Sequence, residues 1–291
     1  MNPEIAQKTR TAPGSESTLC PGCSFAEFER FMRLEDGDLL KCRRCDLVFL
    51  VPRPTAAELK AHYQQYFDSP GASPIALDRN RRELFHDCLR RIERFAPAGV
   101  LIDVGAAYGD FASMARDRGY QVFGVEIARH PCSVMEAKSI AHYCGSLEDA
   151  PFAADSVDLI TFWDVLEHLP DPSSTLMAAR RILRAGGLLV ATVPNRRFQS
   201  FLIAAERLVG RDGTARREIP SHLNHFSAPA IRRALENSAF KVLDIQPAFP
   251  TPLQPRFTNI LKSALYRVAV ATHKLLRMNI GNELLVFATR Q

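Results

Sequence analysis

The stretch Val100-Leu-Ile-Asp-Val-Gly-Ala-Ala-Tyr-Gly109, followed by an apolar helical pattern and then Val122-Phe-Gly-Val-Glu126, constrains the fold more than any other part of the chain. An apolar run, a glycine bend, an amphipathic helix and a second apolar run make a strand–helix–strand unit, the building block of parallel sheets. The bend leaves free main-chain N–H groups and the positive end of a helix at the carboxyl edge of the sheet. Glu126 closes the second strand, where a carboxylate can accept both hydroxyls of a ribose, so the ligand should contain a nucleoside.

The texture on either side agrees. Short apolar runs at 100–104, 121–126, about 141–145, 157–163, 187–193, 241–247 and 283–289 alternate with helical patterns near 109–118, 130–138, 173–184, 198–209 and 228–238. The fold class is therefore α/β: a doubly wound, mostly parallel seven-stranded sheet with a hairpin-like final strand. Upstream, Thr55 can cap a helix over 56–66, and a second helix runs from about 75 to 95 after a Ser-Pro-Gly break.

The bend departs from the dinucleotide pattern. It reads Gly105-x-x-x-Gly109 and lacks the middle glycine that lets a pyrophosphate approach the backbone. Asp103 adds a negative charge that repels a diphosphate but suits a ligand bearing an ammonium and a sulfonium.

With Asp103, Gly105, Gly109 and Glu126 in this order, the sequence resembles the class I S-adenosylmethionine-dependent methyltransferases. The resemblance spans about residues 76–291 and continues through Gly145-Ser-Leu-Glu-Asp-Ala-Pro-Phe152, Asp158 to Pro172 and Leu183-Arg-Ala-Gly-Gly-Leu-Leu189. It implies a Rossmann-like methyltransferase that binds S-adenosylmethionine through the glycine bend with Ala106, through Glu126 with Ile127, through Ser146 and Leu147 beside the adenine, and through Phe162 and Asp164 beside the methionyl part.

Cys20-Pro-Gly-Cys23 and Cys42-Arg-Arg-Cys45 form a C-x2-C, x18, C-x2-C array, the spacing of a tetrahedral structural zinc site. A zinc ribbon is expected over 19–54, after a flexible leader at 1–18 and before a helical linker or lid at 55–95. The methyltransferase domain follows at 96–291, with helical segments inserted at about 196–225 and 256–280. Cys88, Cys132 and Cys144 read as small core residues, free thiols in a chain whose polar start, Met1 to Arg10, suggests a cytoplasmic protein.

Methyl transfer asks the protein for alignment, desolvation and removal of the acceptor's proton. His168, His222 and His225 are the candidates, with His225, in a His-Phe-Ser segment like that of related small-molecule methyltransferases, preferred as the base. The string Trp163-Asp-Val-Leu-Glu-His168 is also similar to ubiquinone-pathway and small-RNA 2′-O-methyltransferases in which two carboxylates and a histidine hold a divalent cation. That resemblance would assign Asp164, Glu167 and His168 as ligands, although Asp164 replaces a Glu; bracing of a loop is the competing role. Tyr63 and Tyr66 either close over the cofactor or pack in the core.

The net charge of +5 resides entirely in residues 256–291, where six basic side chains face Glu283 alone, and residues 1–250 balance to zero. The ribbon is balanced too, so nucleic acid is a disfavoured partner and a small-molecule acceptor, such as a sugar, polyketide-like or isoprenoid intermediate methylated at oxygen or carbon, is expected. An RNA methyltransferase and a non-catalytic cofactor-binding scaffold are the alternatives. No stretch is long enough to span a membrane, but the amphipathic pattern at 257–268 would suit a peripheral membrane contact.

Overall fold

The computed structural model describes residues 19–34, 37–69, 79–96, 98–208, 222–248, 257–276 and 278–291. The leader, residues 209–221 of the first helical insertion and the start of the 256–280 segment lie outside these, as do the side chains of most apolar positions in the two amphipathic stretches.

Three strands, β1 (Phe28–Leu34), β2 (Gly37–Cys42) and β3 (Val48–Val51), open the described chain. Two helices follow, α1 (Ala56–Asp68) and α2 (Arg79–Ile92). Thr55 caps α1 as its sequence suggests, in a reciprocal box with Glu58 that satisfies end N–H groups on both sides.

The second half alternates strand and helix: β4 (Val100–Val104), α3 (Asp110–Arg116), β5 (Gln121–Glu126), α4 (Arg129–Ala137), β6 (Ala141–Cys144), β7 (Val157–Trp163), a 3-10 turn (Leu166–His168), α5 (Pro172–Ile182), β8 (Leu183–Pro194) and α6 (Arg196–Leu208). It ends in β9 (Asn224–His225), α7 (Ala228–Asn237), β10 (Phe240–Pro247), α8 (Phe257–Leu276) and β11 (Glu283–Arg290). Seven strands join in the order β10-β11-β8-β7-β4-β5-β6, with β11 antiparallel to both neighbours and the others parallel. The expected doubly wound sheet is present, and its strands lie within a few residues of their apolar runs. The largest boundary difference is β8, which starts at Leu183 instead of 187: the register slips between Val157↔Leu183 and Leu159↔Leu188, and Gly186 at φ +75° lets the strand run through the irregularity.

The sheet is buried on both faces, which explains the near-continuous hydrophobic strands. Ile102, Leu159, Ile160, Phe162, Leu189 and Val190 are inaccessible. The ribbon does not stand apart from this core. Its four cysteines, Leu47 and Phe49 share one apolar cluster with Leu176, Ala179, Phe226, Ile231 and Leu235. Its three-stranded meander gains a fourth strand from far along the chain, because β3 pairs antiparallel with β9.

One expectation is corrected. Cys132 and Cys144 are not free core thiols: they form a disulfide, with Cα atoms 6.0 Å apart. Packing of α4 against β6 brings two positions twelve residues apart into bonding geometry. Cys88 is buried and free, as expected.

Candidate functional site

The glycine bend after β4 and the acid at the end of β5 form one hydrogen-bonded unit. Gly105 and Ala106 donate their N–H groups to Val125 O at 2.8 and 3.2 Å, and Ala107 donates to Glu126 Oε2 at 3.0 Å. Ala128 donates to Glu126 Oε1 at 3.0 Å. Both glycines sit at positive φ, +66° for Gly105 and +73° for Gly109. A Cβ on Gly105 would lie 2.4 Å from Val165 Cγ2, and one on Gly109 would lie 2.6 Å from Ile140 Cδ1. Backbone conformation and space therefore both demand glycine here.

Asp103 is 1% exposed and receives one hydrogen bond, from Thr161 Oγ1 at 2.7 Å. Burial raises its carboxyl to about 7, against the lowering effects of that bond and of Arg81. Burial also raises Glu126, and main-chain N–H groups partly offset this. Arg81 lies among acids: desolvation lowers its guanidinium, and Asp164, Glu283 and Glu167 together hold it above its ordinary value. Arg81 is paired with Asp164 at 2.9 Å. Sequence reading did not find Arg81, since it lies on α2 far from any motif; the strong basic character of that helix was the available signal.

The other expected nucleoside-side residues are distributed as follows. Ser146 is partly exposed and donates to Asp149 at 2.7 Å, while Leu147 is buried beside it. Phe162 is fully enclosed in the core, so only its main chain can face a ligand. Ile127 bridges Glu126 to α4, and its N–H contributes to holding the Glu126 carboxylate. On the open side, α1 contains no buried residue but leans over the bend: Phe67 stacks edge-on against Tyr108 at 5.6 Å, and Gln64 accepts from Arg129 N at 3.1 Å. Tyr63 faces His168 at 6.2 Å, and burial raises its phenol further above its ordinary range.

Next to Arg81 and its acids, three imidazoles converge. The His168 and His222 rings are 4.9 Å apart, and those of His222 and His225 are 6.1 Å apart. Burial lowers His222 to about 4 and His225 to about 3, so both are neutral at physiological pH. Nε2 of His225 is buried without a hydrogen-bond partner. Glu167 is 1% exposed, and neither carboxylate oxygen has a hydrogen-bond partner beyond its own amide. Burial and the nearby Asp164 push its carboxyl well up.

Ligand atoms of Glu167, His168 and His222 all lie within 4.8 Å of one another. This differs from the set assigned by resemblance, because His222 takes the place of Asp164. Asp164 is turned to Arg81 and Thr192, whose hydroxyl bonds its Oδ1 at 2.8 Å, and it sits at φ +56°.

The four ribbon cysteines are all buried, and their thiol atoms likewise lie within 4.8 Å of one another. Cys20 approaches Cys45 at 3.5 Å and Cys23 approaches Cys42 at 3.6 Å. Hydrogen bonding from Cys45 draws Cys20 down to about 6, while the same bond pushes Cys45 up. A buried, clustered sulfur quartet of this kind suits a tetrahedral thiophilic ion.

The family model for a methyltransferase domain matches residues 77–245, more than half of the chain. A ubiquinone biosynthesis O-methyltransferase of Xanthomonas axonopodis pv. citri is 30% identical over 175 residues, 56% of this chain and 72% of that protein. One of Hahella chejuensis is 31% identical over 115 residues, 37% of this chain and 48% of that protein. The chain spans about half the length of several such curated relatives. Among solved structures, the cyclase SpnF superposes with a TM-score of 0.56 at 17% identity, covering 82% of this chain and 97% of that one. That likeness concerns the fold alone, which hosts more than one chemistry. The matched segment contains the glycine bend, Asp103, Glu126 and the Glu167-His168 turn, and the chain belongs to the S-adenosylmethionine-dependent methyltransferase family.

Proposed function

We propose that the protein transfers the methyl group of S-adenosylmethionine to an oxygen or carbon of a small-molecule acceptor. The observation that carries this reading is the pair of buried carboxylates flanking a sparse glycine bend, Asp103 and Glu126, within a basin where acids outnumber the single guanidinium of Arg81 among the described residues. A ligand with vicinal hydroxyls, an ammonium and a sulfonium matches that basin, and a diphosphate does not.

When bound, S-adenosylmethionine supplies a methyl group already activated by positive sulfur. The chain's own tasks are then positional. Glu126 receives the ribose hydroxyls, Asp103 the ammonium, and Arg81 the carboxylate of the methionyl part. Ser146 and Leu147 border the adenine, and Tyr63 and Phe67 on α1 exclude water. His222 and His168, next to the basin, accept the acceptor's proton or orient it. His225, which the sequence singles out as the base, is buried with its Nε2 unpartnered, and in this reading it supports His222 at 6.1 Å instead of taking the proton itself.

Glu167, His168 and His222 also fit a divalent cation, because the orphaned Glu167 carboxylate needs either a proton or a positive partner. Such an ion would draw an acceptor hydroxyl toward its ionised form. The ribbon cysteines fit a structural zinc. The curated relatives named as ubiquinone biosynthesis O-methyltransferases favour a hydroxylated, isoprenoid-related acceptor over RNA, as does the charge balance of residues 1–250.

The test is calorimetry with S-adenosylhomocysteine followed by coupled turnover on 3,4-dihydroxybenzaldehyde, an aromatic vicinal diol, and on a short RNA. Turnover on the diol with weak, salt-sensitive RNA retention is expected. Cofactor binding without turnover on either would favour the scaffold reading, and turnover on RNA alone would favour the nucleic-acid reading.

A further inference from the structure

The ribbon touches the methyltransferase core where the histidine-bearing segment lies. Its last strand, β3, pairs with β9 in the register Val48↔His225 and Phe49↔Asn224, and Leu50 donates to Leu223 O at 3.0 Å. Leu223 in turn donates to Glu167 O at 2.8 Å. The backbone that carries His222 and His225 is thus sandwiched between the ribbon and the turn that carries Glu167 and His168.

Two ribbon side chains complete the clamp. Arg53 donates through Nε to Pro170 O at 2.6 Å and through one terminal nitrogen to Leu169 O at 2.8 Å and Asn224 Oδ1 at 2.9 Å. Asn224 donates to Leu166 O at 3.1 Å and to Leu169 O at 2.8 Å. Both loops therefore converge on one half-buried guanidinium. Asp46, next to Cys45, accepts from Ser227 Oγ at 2.7 Å and from Arg196 at 2.6 Å. Ser227 is also the N-cap of α7, accepting from Ala230 N at 3.3 Å. One ribbon carboxylate thus fixes the far end of the same segment and the start of the helix behind it.

By contrast, the hydrogen bonds described above for Asp103, the glycine bend and Glu126 all run within the sheet domain, to Thr161, Val125, Ala107 and Ala128.

We propose that Asp46 and Arg53 are positioning residues for methyl transfer: the ribbon holds the acceptor wall, His222 to Ser227, against the Glu167-His168 turn, and leaves the cofactor half of the site to the sheet. This rests on the proposed function, in which these histidines face the acceptor. It gives the ribbon a part in catalysis through geometry, without contact to substrate or nucleic acid. Arginine suits this use because its planar fork addresses several carbonyl oxygens at once and loses little freedom in doing so.

The test uses the full-length, zinc-loaded protein with Arg53→Met and, as a milder second variant, Asp46→Asn. Three quantities are read: amide hydrogen exchange by segment, S-adenosylhomocysteine affinity by calorimetry, and steady-state constants for 3,4-dihydroxybenzaldehyde. Exchange at 222–227 and 166–170 should rise at least tenfold, exchange at 100–110 and 121–128 should stay within twofold, and cofactor affinity should stay within threefold. The diol's KM should rise or kcat fall tenfold or more while the KM for S-adenosylmethionine holds. Unchanged exchange at 222–227 in both variants would overturn the proposal, as would a parallel loss of cofactor affinity. If the wild-type protein does not methylate the diol, the acceptor reading fails on that probe, and the exchange and affinity arms still decide whether the ribbon holds the wall.

Discussion

Glu126 Oε2 accepts the N–H of Ala107 at 3.0 Å, so the acid of the second strand is held by the very bend it must serve. The bond orients one oxygen and leaves lone pairs on both for a ligand's hydroxyls. Replacing Glu126 with Gln keeps the size and removes the charge. Affinity for S-adenosylhomocysteine should fall about 10- to 100-fold, the span set by losing charge-assisted hydrogen bonds, and the melting temperature should fall as well, because the amide NH2 must face the N–H of either Ala107 or Ala128; calorimetry and thermal unfolding read the two separately.

The raised carboxyl of Asp103 makes cofactor binding pH-dependent. In the free protein it holds its proton up to about pH 7 because burial disfavours the charge. An incoming ammonium requires the carboxylate, so below that value binding releases a proton and weakens as pH falls, by up to about tenfold per unit. S-adenosylhomocysteine affinity should therefore rise from pH 5.5 to 7.5. Methylthioadenosine, which lacks the ammonium, should show a flatter profile, and Asp103→Asn should flatten the profile of both.

Gly105 tolerates no side chain. At φ +66°, with Val165 Cγ2 at 2.4 Å from where a Cβ would sit, Gly105→Ala combines backbone strain with overpacking. A loss of about 2–4 kcal/mol in urea unfolding is expected. Gly119, which also has positive φ but nothing within 4 Å of the place a Cβ would take, should cost less on the same substitution.

The three-ligand cluster predicts cation binding of a defined pattern. Manganese titration followed by electron paramagnetic resonance should show one site per chain, weakened at least about tenfold in Glu167→Gln and in His222→Ala. Asp164→Asn should weaken it much less, since Asp164 is committed to Arg81 and Thr192.

Legibility of this chain follows the range of the interactions. The bend, its acid and the strand after it are contiguous, so local spacing and periodicity expose them. The cysteine quartet is similarly visible because two tight turns impose fixed spacing. Pairing of β9 with β3 leaves no trace, for a two-residue strand has no period to read. Arg81 reaches Asp164 across 83 positions, and His222 lies beside Glu167 in a segment whose main chain bonds both the Glu167 turn and the ribbon strand β3. The Cys132–Cys144 bond depends on how α4 packs on β6, a tertiary fact that composition alone argues against.

The central claim is that a buried acid beside a sparse glycine bend selects a cationic sulfur nucleoside over a diphosphate dinucleotide. Calorimetry of the purified protein with S-adenosylmethionine and with NADH, repeated with Asp103→Asn, measures this most directly. Stoichiometric binding of S-adenosylmethionine, weakened at least tenfold by the substitution, with no heat from NADH, is the predicted result. Binding of NADH in preference to S-adenosylmethionine would contradict it.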